Sequence, residues 1–130
     1  MLREVLHSKL HMASVTTARP DYVGSITIDR DLLDAVGMRV NDKVLISNCR
    51  NGARLETYIF EGARGSKVIE LNGAAAHLVE VTDRVIIMHY ALVDDEQYAK
   101  HRPKVAILDE TNAIVDRVRY EPSEPAASDD

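Results

Sequence analysis

Residues 43–60, KVLISNCRNGARLETYIF, decide the fold class. Two apolar-alternating runs, Lys43 to Asn48 and Arg54 to Phe60, flank Asn51-Gly52, a pair that tolerates the positive φ of a tight turn. The stretch reads as a β-hairpin. On its second arm Arg54, Glu56 and Tyr58 share one face while Leu55, Thr57 and Ile59 share the other, as in an amphipathic strand.

The same texture extends in both directions. Val, Ile and Thr together number 29 and fall into short runs separated by Gly, Asn, Asp and Pro, which is a β-rich pattern. Further strands are expected at Glu4 to Thr16, with a bend, and at Val23 to Ile28, Lys67 to Glu70, Arg84 to Leu92 and Lys104 to Asp109. Three short helices interrupt them. Asp29 or Asp31 can cap one that carries Leu32, Leu33 and Val36, with Gly37 as its left-handed terminator. Asn72 can cap a single turn through Ala74 to His77, and Asp94 starts a third helix that ends before Pro103. There is no internal repeat. Seven short strands with few helices predict a mainly β fold, a small closed barrel that hides its strand edges.

With 130 residues the chain fits one domain and one core, which leaves little room for separate cofactor and substrate domains. Any active site must be small or shared between subunits. The last ten residues, Glu121 to Asp130, hold four acids, no base and two of the four prolines; without them 16 bases face 17 acids. The acidity therefore belongs to a tail, expected to be disordered, and the barrel domain is set at residues 1–118 with the tail at 119–130. A nearly neutral body argues against a β-rich DNA-binding module and against nucleic acid as a partner. Cys49 is the sole cysteine and no Cys/His cluster has zinc-like spacing, so the expectation is a reducing interior and no metal. No run approaches the roughly 18 apolar residues of a spanning helix, so no membrane association is expected and the localisation is read as cytosolic.

Four stretches could carry chemistry. Gly24-Ser25 lies in an apolar β-like run, where glycine usually marks a turn; alternatively it lets the chain strain so that the serine hydroxyl reaches the preceding carbonyl, the geometry of an N-to-O acyl shift. His7, Lys9 and His11 would project from one face of an extended segment, as a solvated strand face, a weak metal site or a cationic lining for a carboxylate. Arg54 and Tyr58 suit a small anion, since Arg binds carboxylates bidentately and a phenol exchanges a proton. Asn72-Gly73-Ala74-Ala75-Ala76 is a small-residue turn whose backbone N–H groups could face a ligand, with close packing the plainer account. His77, His89 and His101 read as ordinary.

Together the pieces resemble the pyruvoyl-dependent aspartate decarboxylase family. The resemblance covers roughly residues 1 to 118 and rests on Lys9-Leu10-His11, Tyr22 with Gly24-Ser25, Asn51-Gly52 with Arg54 and Thr57-Tyr58, Arg64-Gly65-Ser66, and Asn72-Gly73-Ala74-Ala75-Ala76-His77. Each is common alone; their order and spacing are specific.

The resemblance implies a double-psi β-barrel, a homotetramer with sites between neighbouring subunits, and self-cleavage between Gly24 and Ser25 into a β chain, 1–24, and an α chain, 25–130. Ser25 Oγ would attack the Gly24 carbonyl, with Thr57 as donor to the oxyanion, and the resulting ester would eliminate and hydrolyse to leave a covalent pyruvoyl group at position 25. That group, in place of a metal or pyridoxal phosphate, would take L-aspartate as a Schiff base and release CO2 and β-alanine for pantothenate synthesis. Tyr58 is implied as proton donor, Lys9, Arg54, Thr57 and the backbone of Gly73, Ala74 and Ala75 as substrate-binding groups, and His11, Tyr22 and Asn72 as supports. Strict alternation places Thr57 opposite Arg54 and Tyr58, which a twist at the strand end or a two-subunit site would reconcile. The competing reading is an uncleaved barrel that only binds a partner and in which Gly24-Ser25 is a turn.

Overall fold

The Asn51-Gly52 turn forms with Gly52 at φ 71°, and the runs beside it pair antiparallel, Ser47 opposite Arg54 and Lys43 opposite Tyr58. The protein is described here from a computed structural model over residues 1–122. Its elements are β1 (Arg3–Ser14), β2 (Thr17–Arg19), β3 (Ser25–Asp29), α1 (Arg30–Val36), β4 (Lys43–Asn48), β5 (Arg54–Gly62), β6 (Ile69–Asn72), a 3-10 helix (Gly73–Leu78), β7 (Arg84–Val93), α2 (Asp95–Lys100), β8 (Lys104–Leu108) and β9 (Ile114–Arg119). The fold is mainly β, with one nine-stranded mixed sheet in the order β2-β6-β3-β5-β4-β7-β1-β8-β9.

That order contains its own closure. β1 is the seventh strand of the ladder and β2 the first, yet only Val15 and Thr16 separate them in sequence. One bent strand therefore serves both ends: it pairs with β7 through β1 and with β6 through β2, so the sheet must curl back onto itself. The seam is stitched at Thr16, whose N–H donates to the Ile69 carbonyl at 2.8 Å and whose Oγ1 accepts from Ile69 N–H at 3.0 Å. Asn112 adds a buried clamp, donating to the carbonyls of Ser14 and Lys67 and accepting from Ser14 N–H. The β8–β9 hairpin extends the sheet beyond β1, and Ala106 and Leu108 of β8 join the core.

Inside the closed wall Leu10, Ile26, Ile28, Ile46, Ile59, Ile69, Leu71 and Ile87 are fully buried, with Leu33 of α1 plugging one end. Each such side chain contributes about 1.5–3 kcal/mol. Asp29, rather than Asp31, caps α1, accepting from Asp31 N–H, and it also accepts from Gly65 and Lys67 N–H, which explains the buried carboxylate and ties the Arg64-Gly65-Ser66 turn to the barrel. Gly37 ends α1 at φ 76°, and α2 carries a full capping box between Asp94 and Gln97.

Three expectations change. The first strand is broken by two register shifts, Leu6/Ser8 and Leu10/Ala13, so His7, Lys9 and His11 do not form one row. Asn72 sits at the cap position of the 3-10 helix but makes no capping bond, its amide being used elsewhere. Ile114–Arg119 is a strand that the sequence reading missed. Glu121 is held to Arg102 at 3.1 Å; the rest of the expected tail, residues 123–130, lies outside the described residues.

The 3-10 helix and the turn before β7 are anchored by Asp83, which is buried and accepts from Asn48 Nδ2, Arg50 Nε and Glu80 N–H. The Arg50 guanidinium first, then the Asn48 amide, hold its carboxyl down at about 2, against the penalty of burial. A depressed carboxylate pKa stabilises the fold above the unfolded value near 4, and that stability is lost as pH falls towards 2. Urea unfolding of Asp83→Asn is expected to show a loss on the order of 2 kcal/mol at pH 7 and a flatter pH dependence between pH 4 and 2.

Candidate active site

Ser25 begins β3 and Asn72 ends β6, and the two face each other in an antiparallel pair. Both are fully buried. Asn72 Nδ2 donates to Ser25 Oγ at 3.1 Å and to Thr27 Oγ1 at 3.2 Å, while Ser25 Oγ donates a long bond of 3.4 Å to the Val23 carbonyl. Among the described residues Asn72 Oδ1 is buried with no partner, an acceptor beside the hydroxyl.

The next residue fixes the loop. Gly73 has φ 71°, and a Cβ there would lie 2.6 Å from Gly24 Cα, 2.9 Å from Gly24 N and 3.2 Å from the Tyr22 carbonyl. Only a residue without a side chain lets the 3-10 helix start directly under the Tyr22–Gly24 segment. The Tyr22 ring is exposed beside the Arg19 guanidinium, 5.8 Å from its centroid, and Arg19 in turn pairs with Glu70.

Parallel pairing of β3 with β5 sets Ile26 against Ile59 and Thr27 against Phe60. Continued back one and two residues, that register brings Tyr58 beside Ser25 and Thr57 beside Gly24. Ser25, Thr27, Tyr58 and Phe60 then share the outward face, and Ile26, Ile59, Leu55 and Thr57 the inward one, in agreement with the alternating burial of β5. The β4–β5 ladder has no bulge, so Thr57 stays on the face opposite Arg54 and Tyr58, and the proposed twist is not what reconciles them.

Lys9 and Arg54 also face outward but not together. Lys9 lies opposite Met88, Met88 opposite Leu45 and Leu45 opposite Glu56, the neighbour but one of Arg54. Three strand spacings separate β1 from β5, about 14 Å, and four residues separate Arg54 from Tyr58, about 13 Å along the strand. Among the described residues neither cation is in an ion pair, and no hydrogen bond joins either to Ser25 or Tyr58. A cleft of about 300 Å³ on this face is lined by Glu4, Lys43, Leu45, Glu56 and Tyr90, and Lys43 and Glu56 pair across it.

His11 is on the Lys9 side of β1. Its Nδ1 is buried with no partner among the described residues, and burial, then the charges of Lys9 and Arg84, keep the imidazole below the ordinary histidine range. Arg84, absent from the sequence reading, clamps the second register shift by donating to the carbonyls of Met12 and Leu108. Its only sequence signal was a basic residue at the start of a strand.

A single protomer thus unites Tyr22, Gly24, Ser25, Asn72 and Gly73, with Thr57 and Tyr58 on the adjoining strand, and leaves Lys9, His11 and Arg54 apart. The model of the family described as aspartate decarboxylase matches residues 1–115. The chain belongs to the aspartate decarboxylase family. It is 57% identical over 123 residues to aspartate 1-decarboxylase of Bacillus licheniformis, covering 95% of this chain and 97% of that one. Identity is 60% over 114 residues to the Exiguobacterium sibiricum enzyme of that name, 88% and 90% of the two chains, and 56% over 123 residues to the Bacillus subtilis one, 95% and 97%. The computationally designed protein msDPBB_sym2 is a more distant likeness, at 22% identity and a TM-score of 0.47 over 67% of this chain and 99% of that one. The activity of this aspartate decarboxylase is that of a carboxy-lyase, and among the described residues no helix is long and apolar enough to cross a membrane.

Gly73→Ala is expected to destabilise this decarboxylase by about 1–3 kcal/mol, because the new methyl meets backbone rather than a flexible side chain. Thermal unfolding checks it; an unchanged melting temperature would show that the Tyr22–Gly24 segment moves aside freely.

Proposed function

We propose that the chain matures by cleavage between Gly24 and Ser25 and then decarboxylates L-aspartate to β-alanine in a cytoplasmic homotetramer whose active sites lie between subunits. The observation that carries this reading is the buried Ser25 hydroxyl held by Asn72 beside a loop pinned on Gly73.

Maturation draws on the inward side of β5. Thr57, at the Gly24 register position, supplies the hydroxyl that stabilises the oxyanion when Ser25 Oγ attacks the Gly24 carbonyl. Asn72 holds Oγ in place during the attack, since its amide already donates there. Two faces then serve two steps: Thr57 acts on the peptide, and Tyr58 and Arg54 act on the substrate.

The residues around position 25 fit a covalent pyruvoyl group. It would occupy a fully buried place beside the Asn72 amide, whose Nδ2 already donates at the Ser25 oxygen and would meet a carbonyl oxygen there, with a glycine cradle alongside. When present, the group supplies an electrophilic carbonyl conjugated to an amide, which serves as an electron sink for decarboxylation. Tyr58 Oη returns a proton to the carbon that has lost its carboxylate, reaching it from the adjoining strand on the Ser25 face. Arg54 and Lys9 bind the substrate carboxylates, with backbone donors of Gly73, Ala74 and Ala75 orienting it; one carboxylate is gripped and the departing one is kept poorly solvated.

Separation of Lys9 and Arg54 within one protomer supports a site completed by a second copy. So does the exposure of Tyr22, Val23, Tyr58 and Phe60, at 55%, 67%, 37% and 41%, around the Ser25 segment, an apolar rim suited to a subunit interface.

Ser25→Ala is expected to abolish chain cleavage and CO2 release together. Thr57→Val should chiefly slow cleavage, and Tyr58→Phe should leave cleavage intact and lower kcat by about 100-fold or more. Gel analysis with a CO2-release assay reads both arms; full turnover by Tyr58→Phe would remove Tyr58 as the proton donor.

A further inference from the structure

Lys9 faces outward because of one extra residue. Along the β1–β7 ladder Leu6 opposes Tyr90, but the next β7 residue, His89, is opposed by Ser8, so His7 is the inserted residue of a bulge. From there Lys9 opposes Met88 and Leu10 opposes Ile87. Uninterrupted pairing would instead set Lys9 against Ile87, which is fully buried, and turn Leu10 outward. The bulge therefore decides which face carries the cation.

The His7 side chain is held in place there as well. Its ring meets that of His89 edge to face at 5.2 Å, and its Nδ1 shares a hydrogen bond of 3.0 Å with the fully buried Ser8 Oγ. A Cβ on Gly37 would lie 3.6 Å from His7 Cε1, so the end of α1 closes over the ring. His89 is fixed from both sides, with Nδ1 2.9 Å from the Lys43 carbonyl and Nε2 3.5 Å from the Asp42 carboxylate. Burial, then the neighbouring His89, keeps the His7 imidazole below the ordinary histidine range, which favours a neutral ring that can serve Ser8. On the other flank of the bulge His101 Nε2 lies 2.6 Å from the Leu6 carbonyl.

We infer that His7 and His89 are positioning residues: the His7 bulge, locked against His89, holds β1 in the register that presents Lys9 to the substrate. The inference deepens the proposed function by resting on Lys9 as a substrate cation. Neither histidine touches the reacting atoms. Replacing His7 by alanine removes the ring but keeps the surplus residue, so β1 can slip to the regular register. Deleting His7 removes the surplus itself, and regular pairing then places Ser8 against His89 and Lys9 against Met88, the present arrangement.

The test uses the mature enzyme in four forms besides wild type: His7→Ala, His89→Ala, a deletion of His7, and Lys9→Ala. Two measurements are made, KM and kcat for aspartate, and the rate at which acetic anhydride labels the Lys9 amine, read by peptide mass spectrometry. His7→Ala and His89→Ala are expected to raise KM roughly tenfold with kcat within about twofold and to slow Lys9 labelling several-fold. The deletion is expected to restore both to near wild-type values, a rescue that a merely structural role for the ring would not produce. Unchanged Lys9 labelling in both alanine variants, or a deletion as impaired as His7→Ala, overturns the inference. Slowed labelling together with an unchanged KM in Lys9→Ala upholds the bulge and overturns instead the assignment of Lys9 to the substrate.

Discussion

The pairing of Ser25 with Asn72 is the contact on which the site depends. It puts a hydroxyl in a water-free place, gives it an amide donor, and lays the preceding loop across Gly73. A buried hydroxyl without that amide would carry an uncompensated desolvation cost, so the bond that stabilises the fold also fixes the hydroxyl that the proposed function uses as nucleophile. Closure backs the pairing: β6 lies between β3 and the returning strand β2, and Thr16 ties that return to Ile69.

Closure also sorts the chemistry by face. Along β5 a period of two sends Thr57 inward and Arg54 and Tyr58 outward, and the parallel register with β3 aligns Thr57 with Gly24 and Tyr58 with Ser25. In the proposed function the apparent conflict among three residues of one strand becomes a division between making the reagent and using it. On β1 the same period would have turned Lys9 inward; one surplus residue reverses it.

Much of this was legible in the residues themselves. Asn51-Gly52, the capping signals at Asp29, Gly37 and Asp94, and the alternation of β5 are local effects, decided within a few positions, and they read correctly. The grouping of Tyr22, Gly24, Ser25 and Asn72 came through the family resemblance, because nothing local says that residues 25 and 72 meet. What escaped was long-range or out of period. The two register shifts in β1 depend on partners in β7, and Arg84 and Asn112 act through carbonyls 24 or more positions away; β9 was hidden by charges at Asp116, Arg117 and Arg119 that an outer strand tolerates. His89 looked ordinary because its meaning lies in a ring 82 positions away.

The most direct test is denaturing mass spectrometry of purified material that turns over aspartate, with N-terminal sequencing of the larger species. The account predicts two fragments, residues 1–24 and 25–130, the larger lacking a free amine. A single uncut species of 14.5 kDa with full decarboxylase activity would contradict it.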